Sequence, residues 1–175
     1  MAARKINIYT KPEEDPRYHD TEKLLRRYRD AKYSLMVVTH QLETEFRSEY
    51  GTSIDDFLDS VHAAGVDLGD SDIAERAKSI QRSNKMLKLL ESSVDLLRNN
   101  HKHGEQYYWI LYYSFLSPQE LGDTYEIIDK LEPHIKHISY RTFYRKRKDA
   151  IEALSAVLWG FTAKETMTIL NAFYN

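Results

Sequence analysis

The sequence predicts an all-α protein: a long helical hairpin or coiled coil, followed by a small helix-turn-helix domain. Three observations carry this. Only six glycines and four prolines occur in 175 residues, too few turn formers for a many-stranded fold. The prolines sit at 12, 16, 118 and 133, so nothing between Arg17 and Ser117 interrupts a helix in the way proline does. Apolar residues recur at spacings of three and four, the period of a helix face.

Residues 1–19 are polar and aperiodic with two prolines, and read as an N-terminal arm. From Asp20 to about Ser48, Leu24, Tyr28, Ala31, Leu35, Val38, Leu42 and Phe46 form one stripe of a helix about 40 Å long. Ser53 is placed to cap a short helix carrying Ile54, Phe57, Leu58 and Val61, with Gly65 as its stop. Ser71 opens a second long helix with Ile73, Ala77, Ile80, Leu87, Leu90, Val94 and Leu97 on its seam. Asn84 interrupts that seam, either to fix the register of a helix pair or to face solvent at an irregular heptad. The two seams predict a hairpin region over 20–103 that pairs internally or self-associates.

Between Gly51 and Glu75 lie seven acidic residues and no lysine or arginine. This is a solvated face or an acidic surface for a basic partner. Past His101 and His103 the character changes, and residues 104–175 form the second domain. Glu105 to Leu116 holds Tyr107, Tyr108, Trp109, Tyr112, Tyr113 and Phe115, an aromatic density that suits a strand by propensity. A helix is the better reading, with Tyr108, Leu111, Tyr112 and Phe115 on one face and no partner strand nearby. A packed core explains these rings more simply than a stacking platform for single-stranded nucleic acid.

Composition narrows the function classes. The absence of cysteine excludes disulfides, thiolate metal sites and a thiol nucleophile. It fits a reducing compartment. The first residues lack the apolar run of a secretory signal, and no stretch approaches the roughly 18 apolar residues of a membrane span; a soluble cytoplasmic protein is expected. With 25 basic and 27 acidic residues the net charge of −2 names no partner. The pairs His101/His103 and His134/His137 lack the third and fourth ligands a zinc site needs. No phosphate loop, serine elbow or HExxH motif occurs, so neither an enzyme nor a cofactor is expected.

The distribution of charge says more than its sum. Asp123 or Thr124 is placed to cap a helix with Tyr125, Ile127, Ile128 and Leu131, closed by Pro133. After a turn through His134 to Ile138, Ser139 is placed to cap a second helix ending at Gly160. On that helix Phe143, Ala150, Leu154 and Leu158 cluster on one face, while Arg141, Arg145 and Lys148 gather opposite. Lys146 falls at the margin of the apolar face and Arg147 inside it, where its stem must snorkel to water. From Pro133 to Lys148 there are six cations (Lys136, Arg141, Arg145, Lys146, Arg147, Lys148) and no acid, a local positive field suited to a phosphate backbone. Helix, turn and capped helix is the outline of a DNA-reading unit.

The run Ser139-Tyr140-Arg141-Thr142-Phe143-Tyr144-Arg145-Lys146-Arg147-Lys148-Asp149-Ala150-Ile151, continued by Leu154 and Leu158-Trp159-Gly160, resembles the C-terminal signature of the ArpU-type phage transcriptional regulators. The upstream Tyr112-Tyr113-Ser114-Phe115-Leu116-Ser117-Pro118 is similar to the tyrosine-rich helix and Leu-Ser-Pro turn of that family. The resemblance covers roughly residues 105–160. It implies a sigma-factor-like helix-turn-helix and a DNA-binding transcription regulator of phage or prophage type. Such a protein acts in the bacterial host cytoplasm on double-stranded DNA, with bacterial RNA polymerase as a further partner. By the same resemblance Ser139 caps the recognition helix (139–159), Thr142 supports it or meets a base edge, and Arg141, Arg145 and Lys148 face the groove. Lys136 and Lys146 complete the expected DNA-binding set. The connection through 132–138 is longer than the family's short glycine-containing turn and has no glycine.

Arginine suits groove reading because its planar fork engages guanine O6 and N7 together, worth ~1–3 kcal/mol per pair; lysine positions more than it specifies. A homodimer would place two such helices on half-sites about 34 Å apart. Past Gly160, Thr162 and Glu165 have capping-box spacing, and Met167, Ile169, Leu170 and Phe173 supply the apolar face of a last helix. That helix packs back on the domain or binds a second chain. The alternative function is a helical protein–protein interaction module without DNA binding, its basic helix merely solvated.

Overall fold

The computed structural model describes residues 16–53, 55, 56, 59, 63 and 72–160, with the side chains at 16 and 72–74 outside that description. Among the described residues every regular element is helical: α1 (Pro16–Tyr50), α2 (Asp72–Asn100), α3 (Gly104–Leu111), a π-helical segment (Tyr112–Leu116), α4 (Thr124–Leu131) and α5 (Tyr140–Trp159). No helix among them is long and apolar enough to cross a membrane. Ser53 caps as its position suggested, accepting from the Asp56 N–H at 3.1 Å. Ile54, Phe57, Leu58, Val61, Gly65, Ile73 and the positions of the expected last helix, 162–173, lie outside the described residues or side chains.

The chain forms two compact units, one of Asp30–Leu89 and one of the residues up to Arg29 and from Leu90 onward. In the second of these, α1 starts at Pro16 rather than Asp20, since proline's fixed φ and missing N–H are tolerated in a first helical turn. The buried face here is Tyr18, Thr21, Leu25 and Tyr28, so Leu25 takes the core position the spacing gave to Leu24. Only tertiary contact separates two adjacent leucines on a helix. The Thr21 hydroxyl meets Ser155 Oγ at 2.8 Å and accepts from Trp159 Nε1 at 3.0 Å, which ties α1 to the end of α5. The Arg29 guanidinium donates to Ser117 O at 2.8 Å and Ser117 Oγ at 3.2 Å, and the Tyr28 hydroxyl donates to Glu91.

α2 passes to α3 through Gly104. A Cβ there would stand 2.2 Å from Arg98 O and 2.4 Å from Leu97 O, so any other residue would force the two helices apart. α3 packs against α5, and α4 packs against both α5 and the π segment. Between them Ile110, Leu131, Ile135, Ile138 and Phe143 form a buried cluster, bordered by Trp109, Tyr113, Ile127 and Ile128. Burying a ring such as Phe143 contributes roughly 1.5–3 kcal/mol.

The aromatic segment is helical as expected, but its buried side chains are Tyr107, Ile110, Leu111 and Phe115, with Tyr108 and Tyr112 only half-buried. Past Leu111 the helix widens to a π turn, in which the Ser117 N–H reaches back five residues to Tyr112 O at 2.8 Å.

In the Asp30–Leu89 unit, the Arg76 guanidinium pairs with Glu45 at 3.3 Å, which joins the start of α2 to the end of α1 as a hairpin requires. Leu42, Phe46 and Ala77 are buried. The seam residues Ala31 and Val38 are exposed, and Leu35, Ile80 and Leu87 are half-buried. Asn84 is half-buried on the same seam, so it does not face freely into solvent.

Candidate nucleic-acid interface

Local chemistry places both ends of the basic helix. Asp123 caps α4, accepting from the Glu126 N–H at 2.9 Å, while Glu126 reaches back to the Gly122 N–H at 2.6 Å. Ser139 caps α5, accepting from the Thr142 N–H at 3.2 Å and donating to the Thr142 hydroxyl at 2.9 Å. Gly160 ends α5 with φ 75°. The glycine-free connection closes because His137 adopts φ 56°, a left-handed conformation costing an L residue roughly 1–2 kcal/mol. The His137 N–H donates to Glu132 Oε2 at 3.0 Å, which holds that conformation in place.

On α5 the expected division of faces appears with two changes. Phe143, Ala150, Ile151 and Leu154 are buried to within 1%; Ile151 joins the inner face, and Leu158 is half-buried. Arg141 and Arg145 project from the other side, both exposed, and neither takes part in an ion pair among the described residues. Lys136 is exposed just ahead of the helix.

The remaining cations are engaged to differing degrees. Lys148 is half-buried and has a polar or electrostatic partner. Lys146 is half-buried and donates to Gln106 Oε1 at 2.6 Å, strapping α5 to α3. Arg147 lies over the rings of Tyr144 (4.7 Å), Phe143 (5.6 Å) and Phe115 (5.9 Å), so its charge rests on aromatic faces. Lys136, Ser139, Arg141 and Arg145 are therefore exposed, Thr142 is half-buried beside its cap Ser139, and Lys146 turns toward the protein. A 40-residue separation hides the Lys146–Gln106 bond from any local reading.

Three tyrosines missed by that reading border the first turn of α5. Tyr125 and Tyr140 are 5.5 Å apart and Tyr140 and Tyr144 4.9 Å apart, centroid to centroid. The Tyr144 hydroxyl hydrogen-bonds Thr124 Oγ1 at 3.0 Å and accepts from Tyr140 at 3.4 Å. These bonds hold the Tyr144 hydroxyl below the usual tyrosine range. Donation to Tyr144, with the charge beside it, raises that of Tyr140. The spacing of Tyr140 and Tyr144 was the available signal. Exposed hydroxyls beside arginines can reach phosphate oxygens.

The histidines of the two pairs take part in side-chain contacts. His134 stacks on Trp109 at 3.6 Å and 13°, while the Trp109 N–H donates to Glu105, itself forked by Arg98 at 2.7 and 2.8 Å. Arg98, and after it Trp109, hold the Glu105 carboxyl below its usual range. His101 stacks on Tyr107 at 5.0 Å, and His137 Nδ1 lies 3.6 Å from Glu132. Among the described residues no three metal-ligating side chains converge. The chain matches no protein-family model, no curated protein and no solved structure.

Proposed function

We propose that this protein is a sequence-specific, DNA-binding transcriptional regulator of phage or prophage type. In this reading it acts in the cytoplasm of a bacterial host, with RNA polymerase or as a sigma-like activator, and α5 is its recognition helix. One observation carries the reading. Arg141 and Arg145 stand exposed, with no carboxylate partner among the described residues, on a helix whose opposite face is buried at Phe143, Ala150 and Leu154. Guanidinium groups in that state engage phosphate or guanine without first breaking an ion pair. Lys136 and the first turn of α5, with its positive dipole end, extend the same field. The resemblance of 139–160 to the ArpU-type signature supports the assignment, and Tyr125, Tyr140 and Tyr144 add polar contacts beside the arginines.

Duplex fragments selected from host and phage genomic DNA test this by fluorescence anisotropy. Wild type binds with an affinity that falls steeply with salt, with a slope of several phosphate contacts. Arg141→Glu with Arg145→Glu lowers affinity by ~100-fold or more while far-UV circular dichroism is unchanged. Undetectable wild-type binding near ~50 mM salt ends the reading. It would favour a helical interaction module, for which the apolar side chains exposed in the Asp30–Leu89 unit speak.

A further inference from the structure

Tyr140 and Arg141 are the first two residues of α5, and both are exposed. A recognition helix meets base edges with the side chains of its N-terminal turn. On the reading of α5 given above, on which this inference rests, these two side chains therefore stand nearest the bases. Arg141 suits the two acceptors of guanine. Tyr140 is held in a different chemical state.

The Tyr140 ring lies 5.5 Å from that of Tyr125 and 4.9 Å from that of Tyr144, centroid to centroid. Its hydroxyl gives its one proton to the Tyr144 oxygen at 3.4 Å, and Tyr144 is in turn tied to Thr124 Oγ1 at 3.0 Å. The Tyr144 ring packs at 77° to Phe143, 5.3 Å away, with the Arg147 guanidinium over it at 4.7 Å, so the ring that receives Tyr140 is itself anchored to the core. Tyr140 nevertheless remains 48% exposed. A phosphate contact by its hydroxyl requires the bond to Tyr144 to open, whereas its ring carbons are available as they stand. No acid occurs between Pro133 and Lys148. Asp123 and Glu126, beside Tyr125 in sequence, hold carboxylate oxygens on backbone N–H groups at the start of α4. Tyr140 and Arg141 thus offer an apolar surface next to a cationic one.

Among the four bases only thymine presents an apolar group, its C5-methyl, in the major groove. Consecutive Cα atoms are about 3.8 Å apart and consecutive base pairs about 3.4 Å, so neighbouring residues at a helix start reach neighbouring pairs. We propose that Tyr140 is a specificity-determining residue that packs its ring on a thymine methyl beside the guanine engaged by Arg141, with Tyr125 and Tyr144 as positioning residues. The duplex that this protein binds therefore contains a thymine next to a guanine.

Duplexes selected by the full chain from a randomised pool are titrated by fluorescence anisotropy, with each thymine in turn replaced by deoxyuridine, which lacks only the methyl group. Wild type is expected to select a thymine next to a guanine and to lose about fourfold in affinity when that thymine alone is replaced, the effect of one buried methyl group. Tyr140→Ala should bind the thymine and deoxyuridine duplexes equally, and Tyr140→Phe should still tell them apart. Arg141→Ala should bind both more weakly and keep the ratio between them. Tyr125→Ala should shrink that ratio; an unchanged ratio overturns its positioning role.

Affinity that ignores every thymine replacement overturns the inference and leaves the assignment of α5 intact, as does a methyl preference that survives Tyr140→Ala. Loss of the preference in Tyr140→Phe overturns it too, since the hydroxyl and not the ring would then be the reader. Absence of duplex binding by wild type near ~50 mM salt overturns the assignment of α5 and this inference together.

Discussion

Arg29 and Tyr33 are one turn apart on the same helix, yet they belong to regions built differently. Around Arg29, side chains distant in sequence lock together. Arg29 holds Ser117, Thr21 holds Ser155, Lys146 holds Gln106, and a buried cluster centred on Phe143 lies among three helices. Around Tyr33 the fully buried residues among those described are Leu42, Phe46 and Ala77, and apolar groups face outward. The periodicity of a long helix fixes that it is a helix and leaves open how deeply each stretch is buried, because burial depends on what the rest of the chain brings to it.

The largest test of the contrast is truncation of Phe143. Phe143→Ala is expected to cost about 3–5 kcal/mol in urea unfolding, as for fully buried rings. Phe46→Ala is expected to cost less, its ring packing against Tyr50 at 4.6 Å within a thinner core; equal losses would erase the distinction. Asn84→Leu sharpens it from the other side. Completing the seam with an apolar side chain should stabilise the Asp30–Leu89 unit by about 1 kcal/mol. That gain would appear as slower amide exchange at 78–89, with exchange in α5 unchanged.

The smallest effect is a pH dependence at His101. Burial, reinforced by His103 and Lys102, holds its imidazole below the usual histidine value, and His101 Nδ1 accepts the His103 N–H at 3.0 Å. The folded state therefore favours the neutral ring while the unfolded chain takes up the proton more readily. The stability this gives is present above the ordinary histidine value and is lost as pH falls below it. His101→Asn, which keeps an acceptor, should flatten the stability profile between about pH 7 and 5.

Much of the fold was legible in the sequence because its signals are local. Asp123, Ser53 and Ser139 cap where their positions suggest, and Gly160 stops α5, since a cap involves only the next few residues. The two long helices follow from proline placement and apolar spacing. What escaped depends on partners far along the chain. The choice of Leu25 over Leu24, the burial of Tyr107 and Ile110, and the π turn after Leu111 arise from packing among helices. The same holds for the candidate interface. Arg141 and Arg145 were readable from face geometry alone, whereas the role of Lys146 requires Gln106 and the tyrosine group requires Tyr125 on another helix. His137 answers the missing glycine in a way no spacing rule reveals.

Arg147 carries a warning for anyone scanning the basic run by alanine. Its guanidinium roofs Tyr144, Phe143 and Phe115, so removing it loosens the scaffold beneath its neighbours, and the resulting defect would masquerade as a lost ligand contact. Lysine is no safe substitute, because a compact ammonium lacks the flat plate that lies on those rings. Along this helix, formal charge and availability are separate properties, and a tally of cations overstates the surface open to a partner.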